Sequence, residues 1–313
     1  MKNLKIHFLN TIWSDAMILE ANNHYAFVDT ASLFYYPMIE KHLEEYNIKH
    51  IDFILLTHYH TDHYSNIKNL IENYTVDKLY MKHYYAIEGS TGSGSESNEE
   101  YLANEFRKYE EILESAKVHN TEVIFIDEKS EFENNYYEIN FEGNTLELYD
   151  TNNKLYELYS NPNSEFYNQK RFSENFNSIG IFIKVNDNKI FLGGDATCST
   201  TDIVELKGLT LKMLDKIYQK HNIDSIDLYK SCHHGGGGTN TLELCEKMKA
   251  KYCIITNTAR WLDNWPTYDN LKKANENVEI LPTDHQKYIF TISDEIKYET
   301  ILDESLFLLL SKN

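Results

Sequence analysis

Apolar and polar positions alternate in short runs along this chain, broken by a few stretches with helical spacing. The first thirty residues read as three strands, Lys5 to Leu9, Ala16 to Glu20 and His24 to Val28, the last closing on Asp29-Thr30. Asn22-Asn23 stands where a tight hairpin turn belongs. A helix is expected from about Pro37 to Tyr46, followed by the apolar strand Ile51 to Leu56. Ile67, Leu70 and Ile71 are spaced for a helix over 66–74, and Lys78 to Met81 reads as a strand. The run Gly89 to Ser95 is linker-like. It leads into a charged helix, Asn98 to His119, with Leu102, Phe106, Tyr109, Ile112 and Leu113 on one face.

Strands resume at Glu122 to Ile126, and a hairpin is expected around Glu142-Gly143-Asn144. Asp150 to Asn177 has no clear period, which marks either disorder or a functional lid. The remainder reads as a hairpin (179–185 and 189–192), helix (211–221), strand (226–229), helix (241–248), strand (252–256), strand (278–281) and hairpin (288–298), then a short apolar tail. This order predicts an α/β fold in one domain, 1–313, with two mixed sheets face to face and helices on both outer faces.

Composition narrows the function. The formal net charge of −19, with no compensating run of Lys or Arg, repels a polyanion and argues against an extended nucleic-acid footprint. It leaves room for a small anionic substrate drawn in by a metal. The 24 Tyr and 15 Phe read as core and strand filling. No run approaches the roughly 18 apolar residues of a membrane span, and the N-terminus lacks the apolar stretch of a secretory signal. Cys198, Cys232, Cys245 and Cys253 show no paired spacing and read as reduced thiols, so cytoplasmic residence is expected.

The chemistry is concentrated in Leu56-Thr57-His58-Tyr59-His60-Thr61-Asp62-His63, directly behind an apolar strand. Alternate residues leaving a strand point the same way, so His58 and His60 can share one metal. Asp62 and His63 lie where a helix begins and can face a second. Imidazole and carboxylate suit zinc and its neighbours. Leu192-Gly193-Gly194-Asp195 ends a strand in a carboxylate placed to bridge two cations, with glycines that let the backbone pass close by. Cys232-His233-His234 precedes four glycines, adding two more imidazoles behind a strand.

This order of residues resembles the metallo-β-lactamase superfamily. It looks most like the catalytic domain of the phosphorylcholine esterases that trim choline from teichoic acids, through Ser14-Asp15-Ala16, Phe27-Val28-Asp29-Thr30, the histidine motif, Gly194-Asp195 and His233-His234. It is also similar to the soluble hydrolase domain of DNA-uptake channel proteins. The likeness is weakest over a variable insertion at about 84–177. It implies two divalent cations, zinc first and manganese next. His58 and His60 would hold the first, Asp62, His63 and His234 the second, with Asp195 bridging. His233 would contact or protonate substrate, Asp62 would serve catalysis as well as binding, and Asp29 would orient the first loop from behind. Unlike the β-lactamases, this chain has no histidine between His119 and His221 to complete the first position.

The reaction expected is hydrolysis of a small phosphodiester, the cations lowering the pKa of a bridging water. Trp261 and Trp265 are candidates for an aromatic cage around a quaternary ammonium, with Trp13 nearby in sequence to Asp15. A nuclease, a lactonase or thioesterase, and a degenerate binding protein are the alternatives.

Overall fold

The computed structural model describes residues 2–87, 97–129, 136–150, 155–164, 166–167, 172–197, 208–236, 238–258 and 266–303. Two sheets stack face to face. The first holds β1 (Leu4–Phe8), β2 (Ala16–Ala21), β3 (His24–Thr30), β4 (His50–Leu55), β5 (Thr75–Met81), β6 (Glu122–Phe125), β14 (Gln286–Ile292) and β15 (Ile296–Leu302). Its order is β15-β14-β1-β2-β3-β4-β5-β6. The second holds β7 (Tyr137–Phe141), β8 (Asn144–Asp150), β9 (Ile179–Val185), β10 (Asn188–Leu192), β11 (Leu228–Lys230), β12 (Tyr252–Ile255) and β13 (Glu279–Pro282), ordered β13-β12-β11-β10-β9-β8-β7. Both sheets are mixed. β3 to β6 run parallel, as do β10 to β13, and the other pairings are antiparallel.

Strand alternation decides the layers. Ile6, Phe8, Val28, Phe53 and Leu55 face Ile181, Ile183, Ile190, Leu192 and Ile254 in a core between the sheets. The alternate residues Ile18, Phe27 and Ile54 pack under α1 (Tyr36–Glu45), α3 (Ile67–Asn73) and α4 (Asn98–Val118). Phe182, Phe191 and Tyr229 pack under α6 (Leu209–His221), α7 (Leu242–Met248) and α8 (Thr267–Ala274). The result is the expected αββα sandwich.

The differences from the sequence reading are local. The α8 helix escapes the periodic pattern because only Thr267 and Leu271 are buried along it. Within 150–177, the described residues form α5 (Leu155–Ser160) and a 3₁₀ turn over Glu174–Asn177. Tyr156, Tyr159, Phe166 and Phe172 pack there against Leu209 as a separate aromatic core. The stretch 84–177 supplies β6 at an edge of the first sheet and β7 and β8 at an edge of the second. Cys232, Cys245 and Cys253 are buried, while Cys198, the Gly89 to Ser95 run and the apolar tail lie outside the described residues. Among the described residues no helix is long and apolar enough to cross a membrane.

A buried polar chain ties α1 to the first sheet. The Lys287 ammonium donates to His42 Nδ1 (3.1 Å), which leaves His42 Nε2–H to donate to His7 Nδ1 (3.0 Å) and His7 Nε2–H to Glu20 (2.9 Å). Burial, then Lys287 and His7, push His42 down to about 2, so it stays neutral in the fold. An unfolded chain protonates this histidine below about pH 6.5. Stability should therefore be lost as pH falls from 6.5 toward 2, by up to about 1.4 kcal/mol per pH unit. Urea denaturation at pH 7 and pH 5 checks this: His42→Gln should show a smaller drop between the two than the wild type, and an equal drop would refute the assignment.

Candidate metal centre

Parallel strands deliver the site. β3, β4, β10, β11 and β12 all end at one edge of the sandwich, where β2 and β9 begin. Their loops converge there. The apolar run of β4 fixes Thr57 to His63 in place, and His60 leads into the one-turn helix α2 (Thr61–Tyr64).

The structure brings His58, His60, Asp62, His63, Asp195, His233 and His234 together. Asp195 Oδ2 is the hub: it lies 3.3 Å from His63 Nε2, 3.4 Å from His234 Nε2, 3.8 Å from His58 Nε2 and 3.9 Å from His233 Nε2. His58 Nε2 and His60 Nδ1 are 3.1 Å apart, so the two rings address one point. Asp62 Oδ2 stands 3.0 Å from His234 Nε2 and 3.6 Å from His63 Nε2. Asp62, His63, Asp195 and His234 each offer a ligand atom, all within 4.8 Å of one another. Trp261 and Trp265 lie outside the described residues, whereas the Trp13 ring sits edge-on to His234 at 6.2 Å.

The loops are held in uncommon backbone. Asp29, His233 and His234 adopt left-handed φ of 56°, 49° and 50°, a conformation that non-glycine residues keep only where surrounding contacts enforce it. Asp29 supplies such contacts: its carboxylate accepts from Thr57 N–H (2.8 Å) and Thr57 Oγ1 (2.8 Å) and pairs with His63 Nδ1 (2.8 Å). The glycines before Asp195 answer to protein neighbours. A Cβ on Gly193 would stand 2.4 Å from Cys232 Sγ, and one on Gly194, itself at φ +51°, 3.0 Å from Thr57 Cβ.

The electrostatics attract cations. Burial opposes ionisation of Asp195, yet His234, His63 and His233 hold its carboxyl well below the usual range. Burial likewise opposes the His63 and His234 cations. Asp195 and Asp29 nonetheless carry His63 well above its ordinary value, and Asp195 and Asp15 do the same for His234, so the carboxylates hold protons on these rings where a metal cation would replace them. Burial pushes His58 and His233 down, leaving both neutral as ligands or bases must be. His63 Nε2 and Asp195 Oδ1 are buried without a hydrogen-bond partner, the 3.3 Å approach of His63 to Asp195 being too poorly aligned to count. Orphaned atoms of this kind amid imidazoles and carboxylates fit a divalent metal.

Two residues absent from the ligand pattern complete the site. Asp15 and Lys230 are fully buried and ion-paired. Lys230 carried a signal, a lysine at the end of a buried strand three residues before His233. Asp15 carried none beyond its place in a segment of family likeness.

Residues 14–147 match the family profile described as the metallo-β-lactamase superfamily, which spans the histidine motif. Over those residues the chain is similar to the metallo-β-lactamase superfamily. The metallo-β-lactamase fold protein YhfI from Bacillus subtilis aligns with 13% identity over 96% of this chain and 100% of its own, at a TM-score of 0.51. A variant of the CmlA β-hydroxylase aligns at 9% identity over 93% of this chain and 54% of its own, at 0.52. A diphosphatase of the PhnP family aligns at 12% identity over 80% and 85%, at 0.42. At these identities the likeness is one of fold. No curated protein matches the chain.

Proposed function

We propose that this chain is a metal-dependent hydrolase of that superfamily and that it cleaves a small phosphodiester using two divalent cations, zinc first. His58, His60 and Asp195 would hold one, and Asp62, His63, His234 and Asp195 the other. Bound there, the pair supplies Lewis acidity, an activated water and a clamp for phosphoryl oxygens. The observation that carries the reading is Asp195 Oδ2 facing imidazoles from both halves of the site at once. Its complement is the sparse first position, two histidines and one shared carboxylate, which leaves room for the two non-bridging oxygens of a phosphodiester.

The chain's own groups do the rest. Asp62 is partly exposed, and although burial works against it, His63 and His234 keep it ionised, able to accept a proton from water at Oδ. His233, with its side chain 36% exposed, stands at the mouth beside Asn175 Nδ2 (3.4 Å). Neutral there, its ring N–H can donate a hydrogen bond to a phosphoryl oxygen.

The test is metal content by elemental analysis, together with turnover of bis-p-nitrophenyl phosphate, p-nitrophenyl phosphorylcholine, a lactone and a thioester. Metal-dependent cleavage of the first two supports the proposal, and their rate ratio tests choline recognition. Cleavage confined to the lactone or thioester would overturn it.

A further inference from the structure

We propose that Asp15 is a positioning residue that sets the His234 ring, and that Lys230 positions both Asp15 and the turn carrying the shared residue Asp195. The proposal rests on the metal-site reading above. Lys230 ends β11, and its side chain is fully buried against Asp15. Its ammonium also donates to the Gly194 carbonyl (3.3 Å) and lies 4.0 Å from Asp195 Oδ1. Asp15, at the start of β2, accepts from Thr256 Oγ1 (2.6 Å) and faces His234 Nδ1 (3.1 Å) through Oδ1. One ion pair thus joins the turn before β2, the loop after β10, the end of β11 and the end of β12.

The consequence for His234 is specific. With Nδ1–H held between Asp15 and Thr256 Oγ1 (3.0 Å), Nε2 is the nitrogen that would give up its proton to a bound cation, and Nε2 is the atom that faces Asp62 and Asp195. A metal ligand needs that tautomer, and the partner of the other ring nitrogen sets it. His233 and His234 sit in left-handed backbone before a glycine run, so their loop does not fix the ring by itself. Lys230 has a matching role on the other side. It balances Asp15 where Asp29, Asp62 and Asp195 already crowd, and through Gly194 it steadies the turn that presents Asp195. Among the contacts of His58 and His60 described above, none involves Lys230 or Asp15. Loss of Asp15 alone should therefore fall on the His234 position, whereas loss of Lys230, acting through Gly194 and the shared Asp195, should reach both.

The test compares wild type with Asp15→Asn and with the double variant Asp15→Asn, Lys230→Met. The double variant removes both charges together, so that neither is left buried and unpaired. Metal-free protein is titrated with Zn²⁺ against a chelator of known affinity, and imidazole ¹⁵N resonances report the His234 tautomer. The expected result for Asp15→Asn is one class of site weakened about 10- to 100-fold with the other unchanged, for the double variant a loss at both, and a mixed tautomer for His234 in each. Unchanged affinity, or equal loss at both positions with the tautomer intact, would show a structural role only and overturn the proposal. Wild-type protein that takes up no Zn²⁺ would sink the metal-site reading instead. The tautomer measurement then decides the inference alone: a His234 ring unmoved by Asp15→Asn overturns it.

Discussion

Asp195→Asn should cost on the order of 10²- to 10³-fold in turnover, the loss seen when a principal electrostatic element of a site is removed, and should lower the metal content of the purified protein. The amide matches the carboxylate in shape, so the Ser178 hydroxyl accepting from the Asp195 N–H (3.2 Å) can stay. What disappears is the charge at the hub. Asp195 Oδ2 addresses imidazoles from two segments, the one after β4 and the one after β11, and a neutral side chain bearing N–H donors cannot bridge two cations between them. Elemental analysis and turnover, beside a circular dichroism spectrum showing an intact fold, check the prediction. Wild-type metal content and rate in the variant would remove Asp195 from the centre of the site.

Lys82→Met should destabilise the fold by about 3–5 kcal/mol, the cost of breaking a buried ion pair from one side. Lys82 leaves the end of β5, is 7% exposed, and pairs with buried Asp150. It also donates to the Asn177 carbonyl (2.8 Å) and side-chain oxygen (3.0 Å). Without it Asp150 is left charged in the interior, where one of its oxygens already lacks a partner. Domains have only about 5–15 kcal/mol in hand, so this loss approaches unfolding at ambient temperature. The same lysine anchors the turn carrying Asn175 toward His233, so the rate should fall as well. Urea denaturation measures the first effect, and the double variant Lys82→Met, Asp150→Leu should recover most of it because no unpaired charge remains. A loss under about 1 kcal/mol in the single variant would show that the pair is not a buried ion pair in solution.

The two turns of aromatic core around α5 and the anchoring of the 174–177 turn show where the sequence reading stops. Tyr156 donates to both oxygens of buried Glu174 (2.7 and 2.8 Å), and Lys82 reaches Asn177 across a separation of 95 residues. In sequence the same stretch is a polar region rich in Asn and Tyr. Its order comes from partners on other elements, which no local period records.

The clustering of the candidate ligands was legible because its geometry is local. Residues at i, i+2, i+4 and i+5 behind a buried strand are placed by covalent geometry and by the strand-to-helix transition at His60. Asp195 and the His233-His234 pair follow the same logic at the ends of β10 and β11, and alternation along the strands likewise determined which residues fill the core between the sheets. What only tertiary structure decided is the layer behind the ligands. Asp29 stands 34 residues from His63, and Asp15 stands 215 from Lys230 and 219 from His234. Those contacts exist because parallel strands of both sheets end at one edge, and that convergence is a property of strand order and sheet stacking. A buried carboxylate and a buried lysine far apart in the chain carry no spacing that marks them as partners; they become a pair only when folding removes water from both and leaves each as the other's counter-ion.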